Sequence, residues 1–327
     1  MTKVSVVVTA YNEQDNIQEL IDRVYSTFSS LRGISCELVL VDNGSTDDTS
    51  RIAIENNSSP LTIKLIELTR NFTYQGGIDA GLCHADGDLV FIIDADLQDP
   101  PELFHPLFER FGVGDVEIVY GIRTKRKEKL LKKISFWLFY RLWKLCANIP
   151  VALDAGDCCL ITRKVKDIIV AMPERCRFLR GQRAWVGFKS AGVEYHRQDR
   201  FKGETKFSLS SAIGLALDAI YSYSFLPIKL ISILGIIVIS ITILLTLVFI
   251  IGKISFIFFG GASLVPSLPA GQTVLHVVIL TLFGITFLFL GAIGEYLARI
   301  YDETRMRPRF LVKKISKLNA DTDDSHG

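Results

Sequence analysis

The chain has 327 residues, 49% of which are hydrophobic, and its formal net charge at pH 7 is +2. A net charge this small gives no global field that would favour nucleic acid. The hydrophobic content exceeds that of an average soluble enzyme, so membrane-spanning segments are expected. The six cysteines form no C-x-x-C pair, which argues against a structural zinc site and against a disulfide framework.

Strand and helix patterns alternate through the first third of the chain. Runs rich in apolar and β-branched residues predict five strands, at residues 4–9, 37–41, 61–68, 89–93 and 116–120. Helical patterns lie between them, at residues 13–28, 75–85 and 101–111. This alternation predicts an α/β domain with a doubly wound, mostly parallel sheet and helices on both faces.

Two acidic residues follow the fourth predicted strand at the point where its apolar run ends. The run 89–93 indicates a strand buried on both faces, and Asp94-Ala95-Asp96 comes directly after it. Ligands bind beyond the carboxyl ends of strands in open α/β sheets. Two carboxylates at that position can share a hard divalent cation, and a cation there would hold a diphosphate.

Two long segments without charged residues, 230–252 and 274–294, predict membrane-spanning helices. The alternative is a buried helical hairpin in a soluble domain, which their charge-free length disfavours. Lys and Arg residues flank the pair, whereas Lys253 is the sole charge in the connection between them. The positive-inside rule therefore places both termini in the cytoplasm, and residues 1–10 lack the features of a signal peptide.

The stretch after residue 121 is basic and then amphipathic, with interleaved Trp and Tyr. It is either a core-facing helix with a solvated basic end or a helix lying on an anionic bilayer, and the membrane spans favour the second. The predicted organisation is a domain at 1–225 with interfacial helices near 127–147 and 207–225. Two membrane helices at about 230–252 and 274–296 occupy 226–298, and a basic cytoplasmic tail follows at 299–327.

Motifs at successive predicted strand ends resemble glycosyltransferase family 2, which has the GT-A, Rossmann-like fold. They are the stretches 9–13, 41–47, 70–72 and 94–101. The polyprenyl-phosphate branch of that family, which includes bactoprenol glucosyltransferases and dolichyl-phosphate mannose synthase, is similar also at Gly156-Asp157, 177–181, 184–187, 203–206 and 294–301. The chain departs from the family pattern at Phe72-Thr73-Tyr74, where Phe-Gly-Lys is usual, and at Asn43, where Asp is common.

The resemblance implies a nucleotide-sugar site and a divalent cation, Mg²⁺ or Mn²⁺. Its candidate residues are Tyr11, Glu13 and Asp42 for the nucleotide, Asp94, Ala95 and Asp96 for the nucleotide sugar, and Asp94, Asp96 and Gln98 for the metal. Local alternatives remain for three of them: Asp42 as a turn or helix cap, Tyr11 as a packing aromatic, and Glu13 as a first-turn charge.

The implied acceptor is a polyprenyl phosphate, whose second pKa is about 6, so it is largely a dianion and needs no strong base. It needs a cationic cradle, for which the candidates are Arg123, Arg126, Arg180, Arg200 and Lys206. The alternative for each is a solvated surface cation. Asp157 is the implied base or sugar-orienting carboxylate, and orientation is preferred. The predicted catalytic set is Asp157, Asp96, Arg123, Arg200 and Lys206.

The resemblance thus implies inverting, metal-dependent transfer of a hexose, with UDP-glucose preferred, to undecaprenyl phosphate at the cytoplasmic membrane face. The product would be a lipid-linked sugar for cell-envelope glycan modification. Alternatives are another donor, such as GDP-mannose or a UDP-amino sugar, or a non-enzymatic subunit of a lipid-sugar flippase. Nucleic acid is not an expected partner, and a homo-oligomer is left open.

Overall fold

The computed structural model describes residues 1–55, 61–124, 155–175, 177–197 and 271–318, together with scattered residues between 233 and 258. The chain divides into two compact units. One comprises Met1–Tyr223 together with Arg307–Gly327, and the other is Ser224–Met306.

A mixed β-sheet forms the centre of the first unit. Its strands are β1 (Thr2–Ala10), β2 (Ile34–Asp42), β3 (Thr62–Leu68), β4 (Leu89–Asp94), β5 (Ile118–Arg123), β6 (Ala155–Thr162), β7 (Ser190–Tyr195) and β8 (Val312–Leu318). In the described residues they lie in the order β7-β5-β6-β4-β1-β2-β3-β8. All five strands predicted from the sequence are confirmed.

Three strands that the sequence analysis did not identify change the character of this sheet. β6 pairs antiparallel with both β4 and β5, and β8 pairs antiparallel with β3, whereas β1 to β4 are mutually parallel. The sheet is therefore mixed, and the expectation of a mostly parallel sheet holds only for its central strands. β6, β5 and β7 extend the sheet beyond β4, the strand that ends at Asp94.

Helices cover both faces of the sheet, as predicted. They are α1 (Gln14–Ser29), α2 (Thr49–Glu55), α3 (Thr73–His84), a 3₁₀ turn (Pro101–Leu103) leading into α4 (Phe104–Phe111), α5 (Arg163–Ala171) and α6 (Leu179–Trp185). Because side chains alternate along a strand, Val6 of β1 packs into a core that contains residues of α1, while Val7 packs into a second core with residues of α3. Burial on both sides fixes the register of the central strands.

Residues 299–327 do not form only a basic tail, which corrects that part of the predicted organisation. Residues up to Thr304 belong to a helix, and β8 pairs with β3 in the register Ile63↔Leu318. The sequence of β8 hides its strand character because three of its seven residues are lysine: Lys313, Lys314 and Lys317. Lysine on an edge strand discourages pairing with another chain, so this composition suits the position of β8 at the end of the sheet.

The second unit contains the long apolar helix α7 (Gly271–Thr304). Within it, Thr281–Thr304 is long and apolar enough to cross a membrane, with a mean hydropathy of 1.6, and none of its most apolar stretch is buried. A core helix of a soluble domain would be buried, so the hairpin alternative finds no support here. The helix continues past the predicted end at 296. The predicted span 230–252 lies largely outside the described residues, so a two-helix anchor is not confirmed.

Candidate active site

The carboxyl ends of β1 to β4 gather a set of polar loops in which the backbone is locally strained. Four non-glycine residues of the described chain have positive φ, and Asn12, Thr73 and Leu97 of that set follow β1, β3 and β4, at φ of 52°, 66° and 60°. Such conformations cost of order 1–3 kcal/mol each and cluster at functional sites. The strain therefore points to this edge of the sheet as the site.

Asp42 ends β2 and is almost fully buried. Its Oδ1 accepts a hydrogen bond from the backbone N–H of Ser45 at 2.9 Å, and its Oδ2 accepts one from the Ser50 hydroxyl. The turn-forming alternative for Asp42 thus describes its contacts in this structure, and recognition of the nucleotide base stays a prediction. Glu13 accepts a hydrogen bond from Asn16 Nδ2 at 2.6 Å, and Tyr11 beside it is half-buried.

Asn43 ties this loop to the loop that follows β3. Its Oδ1 accepts a hydrogen bond from the backbone N–H of Phe72 at 2.9 Å, and its Nδ2 donates to the backbone oxygen of Thr73 at 2.7 Å. An ionised aspartate has no proton to donate to Thr73, so the amide satisfies a requirement that the usual acidic residue would leave open.

Thr73 begins α3 in a left-handed conformation that a β-branched side chain tolerates poorly. Its side chain is exposed, and its hydrogen bonds with the side chains of Asn43 and Asn71 use its backbone atoms. We expect Thr73→Gly to raise the free energy of unfolding by about 1 kcal/mol, because glycine adopts positive φ without steric cost. Thermal unfolding of the full chain in detergent would measure this. Thr62→Gly in β3 is the matched control, expected to destabilise, and a lower melting temperature for Thr73→Gly would contradict the strain argument.

Asp94 lies at the end of β4 among groups of both charges. Its Oδ1 accepts a hydrogen bond from the Tyr74 hydroxyl, and its Oδ2 lies 3.4 Å from Arg197 Nη2 and 3.8 Å from Arg123 Nη2. Burial, followed by the charges of Asp99 and Asp96, raises the pKa of Asp94 to about 7. Burial, followed by the charges of Asp94 and Asp157, raises the pKa of Tyr74 well above its ordinary value, so its phenol is protonated at neutral pH.

The donor set at this strand end suits a divalent cation that is shared with a substrate. Asp94 and Asp96 supply two half-buried carboxylates, and Gln98 follows Asp96 by two residues in the sequence. Within the described ranges no three His, Cys, Asp or Glu side chains are grouped to hold a metal. Mg²⁺ is commonly held by one or two carboxylates plus substrate phosphates and water, which such a set matches. A bound cation would offset both the burial and the nearby charges of Asp99 and Asp96 that raise the pKa of Asp94.

Asp99 is a site residue that the sequence analysis did not assign a role. It is fully buried, and its carboxylate accepts hydrogen bonds from Arg123 Nη2 at 2.8 Å and from the Tyr195 hydroxyl. Arg197 Nε lies 3.5 Å away. Arg123 is on β5, Tyr195 ends β7 and Arg197 follows it, so one carboxylate links the loop after β4 to these two strands. The sequence offered one sign of this role, the position of Asp99 directly before Pro100-Pro101, where a helix begins. An aspartate before a helix start is also a common helix cap, so the sign was not specific.

Asp157 lies on β6 and is held by a bidentate ion pair. Arg180 of α6 donates from Nε at 3.0 Å and from Nη2 at 2.7 Å to the two carboxylate oxygens. Burial alone would raise the pKa of Asp157, but the charges of Arg180, Arg183 and Arg123 outweigh it and hold that pKa below its usual range. Both oxygens are thus engaged and the group is ionised at neutral pH, which suits an orienting carboxylate better than a proton acceptor.

The predicted phosphate-binding cations fall into two groups. Arg123 and Arg180 are described, and their side chains are only 15% and 19% exposed, so neither is a solvated surface cation. Arg126, Arg200 and Lys206 lie outside the described residues. Arg197, which the sequence analysis did not single out, contacts both Asp94 and Asp99 and adds a cation to the same cluster.

Comparison with known proteins places the chain in a family. The family model described as glycosyl transferase family 2 matches residues 5–168. A relative from Synechocystis sp., named uncharacterized glycosyltransferase sll0501, is 38% identical over 96% of this chain and 95% of its own. The prophage bactoprenol glucosyl transferase homolog of Escherichia coli K12 is 36% identical over 96% of this chain and 100% of its own. Among solved structures, glucosyl-3-phosphoglycerate synthase from Mycobacterium tuberculosis aligns with a TM-score of 0.46 at 20% identity, over 67% of this chain and 79% of that one.

The family match and the near full-length similarity agree with the resemblance drawn from the strand-end motifs, which is thereby confirmed. Of the predicted fold, the α/β sheet domain is confirmed, with a mixed sheet in place of a mostly parallel one, and the two-helix anchor is not confirmed. The protein is a glycosyltransferase, and the chain belongs to glycosyltransferase family 2.

Proposed function

We propose that this enzyme transfers glucose from UDP-glucose to undecaprenyl phosphate, with inversion at the anomeric carbon and with a bound Mg²⁺ or Mn²⁺. The product is a lipid-linked sugar for modification of cell-envelope glycans. Relatives named bactoprenol glucosyl transferase, 35–36% identical over nearly the full length, support the polyprenyl carrier and the sugar.

The observation that carries the proposal is the close approach of two opposite kinds of charge at one strand end. Asp94 and Asp96 suit a cation that holds the donor diphosphate, and Arg123 Nη2 lies 3.8 Å from Asp94 Oδ2. A phosphate acceptor is the kind of nucleophile that needs a buried guanidinium beside such a centre. An acceptor hydroxyl would need a base instead, and Asp157 is engaged by Arg180.

The geometry supports a displacement in which the acceptor itself is the nucleophile. When bound, the divalent ion stabilises the charge that grows on the leaving diphosphate. Asp94, Asp96 and Gln98 are the residues that would hold it. Arg123, with Arg126, Arg180, Arg200 and Lys206 as further candidates, orients the acceptor phosphate, and Asp157 orients the sugar. A phosphate oxygen forms the new bond to the anomeric carbon as the bond to the UDP oxygen breaks, and the opposed directions of attack and departure invert the centre.

The membrane part of the proposal rests on α7 and on the sequence pattern. We infer that α7 and the segment 230–252 anchor the enzyme in the inner membrane with the sheet domain and both termini in the cytoplasm. The amphipathic segments near 127–147 and 207–225 are inferred to lie at the membrane surface, where a lipid-borne phosphate resides. The exposed apolar surface of Thr281–Thr304 supports a lipid environment for that helix.

The test is transfer of radiolabelled sugar into butanol-extractable lipid by the purified full-length protein, with undecaprenyl phosphate and a panel of UDP- and GDP-sugars. Label from UDP-glucose, abolished by EDTA and by Asp96→Asn, is the expected result. Label from a different donor would revise the sugar alone. No lipid label from any donor, with the protein folded and Mn²⁺ present, would overturn the polyprenyl-phosphate acceptor.

A further inference from the structure

The first turn of α3 brings an uncharged hydrogen-bond donor to the candidate metal ligand. We propose that Tyr74 is a positioning residue for Asp94: its hydroxyl fixes the orientation of that carboxylate, and so sets the affinity for the divalent cation. The inference rests on the proposed function only in taking Asp94 as a metal ligand. It concerns a residue to which the sequence analysis assigned no role in the site.

The contacts around Asp94 divide its two oxygens between different partners. Oδ1 accepts from the Tyr74 hydroxyl, whereas Oδ2 faces Arg197 at 3.4 Å and Arg123 at 3.8 Å. Both guanidinium distances are longer than a good charge-assisted hydrogen bond. The carboxylate is therefore held by its neutral partner and is not drawn fully into an ion pair, which leaves its charge available to a cation.

The position of the Tyr74 hydroxyl is fixed by the packing of α3. Gly77, the fifth residue of α3, lies so close to β1 that an added Cβ would clash with Thr9 Cγ2, so the N-terminal half of the helix packs directly on the sheet. Next to Tyr74, Gln75 accepts a hydrogen bond from the backbone N–H of Leu179 at 3.0 Å, which ties the first turn of the helix to the start of α6. A donor on such a rigid element can define the direction of its acceptor.

Removal of the hydroxyl is expected to let Asp94 turn toward the guanidinium groups. In Tyr74→Phe the ring is retained, but Oδ1 loses its donor, and Arg197 and Arg123 become the strongest remaining partners of the carboxylate. A closer ion pair would compete with the cation for the same oxygens. Loss of an outer-shell partner of a metal ligand typically costs 10–100-fold in metal affinity, so we expect the Kd for Mn²⁺ to rise about tenfold.

The experiment is a titration of the full-length protein in detergent with Mn²⁺ alone, with free Mn²⁺ measured by electron paramagnetic resonance. The four proteins are wild type, Tyr74→Phe, Tyr25→Phe and Asp94→Asn. Tyr25 is 40% exposed on α1, so its variant controls for loss of a phenol elsewhere. We expect about tenfold weaker binding in Tyr74→Phe, in line with outer-shell losses, and wild-type binding in Tyr25→Phe.

The outcomes separate this inference from the proposed function. No Mn²⁺ binding by the wild type, or binding that Asp94→Asn leaves unchanged, would overturn the metal site itself. Equal affinities for wild type and Tyr74→Phe would overturn the role of Tyr74 alone. If Tyr74→Phe does not fold, the wild-type titration is followed by ultraviolet difference absorption. A tyrosine difference spectrum that saturates with Mn²⁺ and is absent in Asp94→Asn supports the inference, and its absence from the wild type overturns it.

Discussion

Asp157→Asn is expected to lower kcat/KM for sugar transfer by about 100-fold at every pH from 6 to 9, the size of loss typical of a preorganised electrostatic contact. The substitution keeps the shape of the side chain but removes the negative charge that pairs with Arg180 and that we propose orients the sugar. A steady-state assay of lipid-linked sugar across this pH range measures the effect. Thermal unfolding of the same preparations checks that the variant is folded.

The shape of the pH profile separates the two roles that the sequence left open for Asp157. Neighbouring arginines hold the pKa of Asp157 below its usual range despite burial. The carboxylate is therefore ionised at neutral pH and loses its charge only as the pH falls through this lowered pKa. It can therefore add no acidic limb between pH 6 and 9. The acceptor phosphate, with a second pKa of about 6, can add one.

The wild type and Asp157→Asn should accordingly share any limb near pH 6, since that limb belongs to the acceptor. A limb that is present in the wild type and missing in Asp157→Asn would show instead that Asp157 acts as a base. Arg180→Lys is the matched variant, because it keeps the positive charge but cannot form the two parallel hydrogen bonds. We expect it to lose about tenfold in kcat/KM, consistent with one lost charge-assisted hydrogen bond.

The sequence predicted those parts of the molecule that local patterns specify. The five strands around the first core follow from apolar runs, and Asp94 and Asp96 were found because an apolar run stops abruptly at its carboxyl end. The helix of 274–296 was found by the same reasoning, although its end was set too early. The predicted end followed from the return of charged residues. The helix nevertheless continues to Thr304, and Glu295 and Arg299 form an ion pair one turn apart along α7.

The parts that were missed depend on contacts between distant residues. Asp99 gains its partners from Arg123 and Tyr195, which are 24 and 96 residues away, and no local signal connects them. β8 pairs with β3, although the entire second unit separates the two strands in sequence. Its three lysines make its sequence look like that of a basic tail. The positive φ of Thr73 likewise cannot be derived from its residue type, because it follows from how Asn43 holds the loop.

Asp99→Asn is expected to lower the free energy of unfolding by about 3 kcal/mol, at the low end of the cost of breaking a buried ion pair. Asp99 is fully buried, and the Arg123 guanidinium beside it is 15% exposed, so water cannot replace the lost charge. A drop of that size corresponds to a fall of roughly 10 °C in melting temperature for a domain of this size. Thermal unfolding of the full chain in detergent, followed by intrinsic fluorescence, measures it.

Asp88→Asn is the matched control for Asp99→Asn. Its carboxylate pairs with Arg163 at 3.2 Å, but the two side chains are 55% and 49% exposed, so the pair is expected to be worth at most about 1 kcal/mol. A loss of stability in Asp99→Asn as small as that in Asp88→Asn would contradict the argument from burial. It would indicate that the Tyr195 hydroxyl, which accepts a hydrogen bond from Arg123 Nε at 3.1 Å, is enough to hold the guanidinium.

Asp99→Asn should also affect sugar transfer, because Asp99 and Asp94 compete for the guanidinium of Arg123. With Asn at position 99, Asp94 becomes the nearest carboxylate to Arg123, at 3.8 Å in the present structure. A closer pair between them would occupy both the proposed metal ligand and the proposed phosphate-binding residue. We therefore expect Asp99→Asn to require more Mn²⁺ for half-maximal transfer and to show a higher KM for the acceptor. A variant that loses stability but keeps both values would confine Asp99 to a structural role, in which it holds the loop after β4 against β5 and β7.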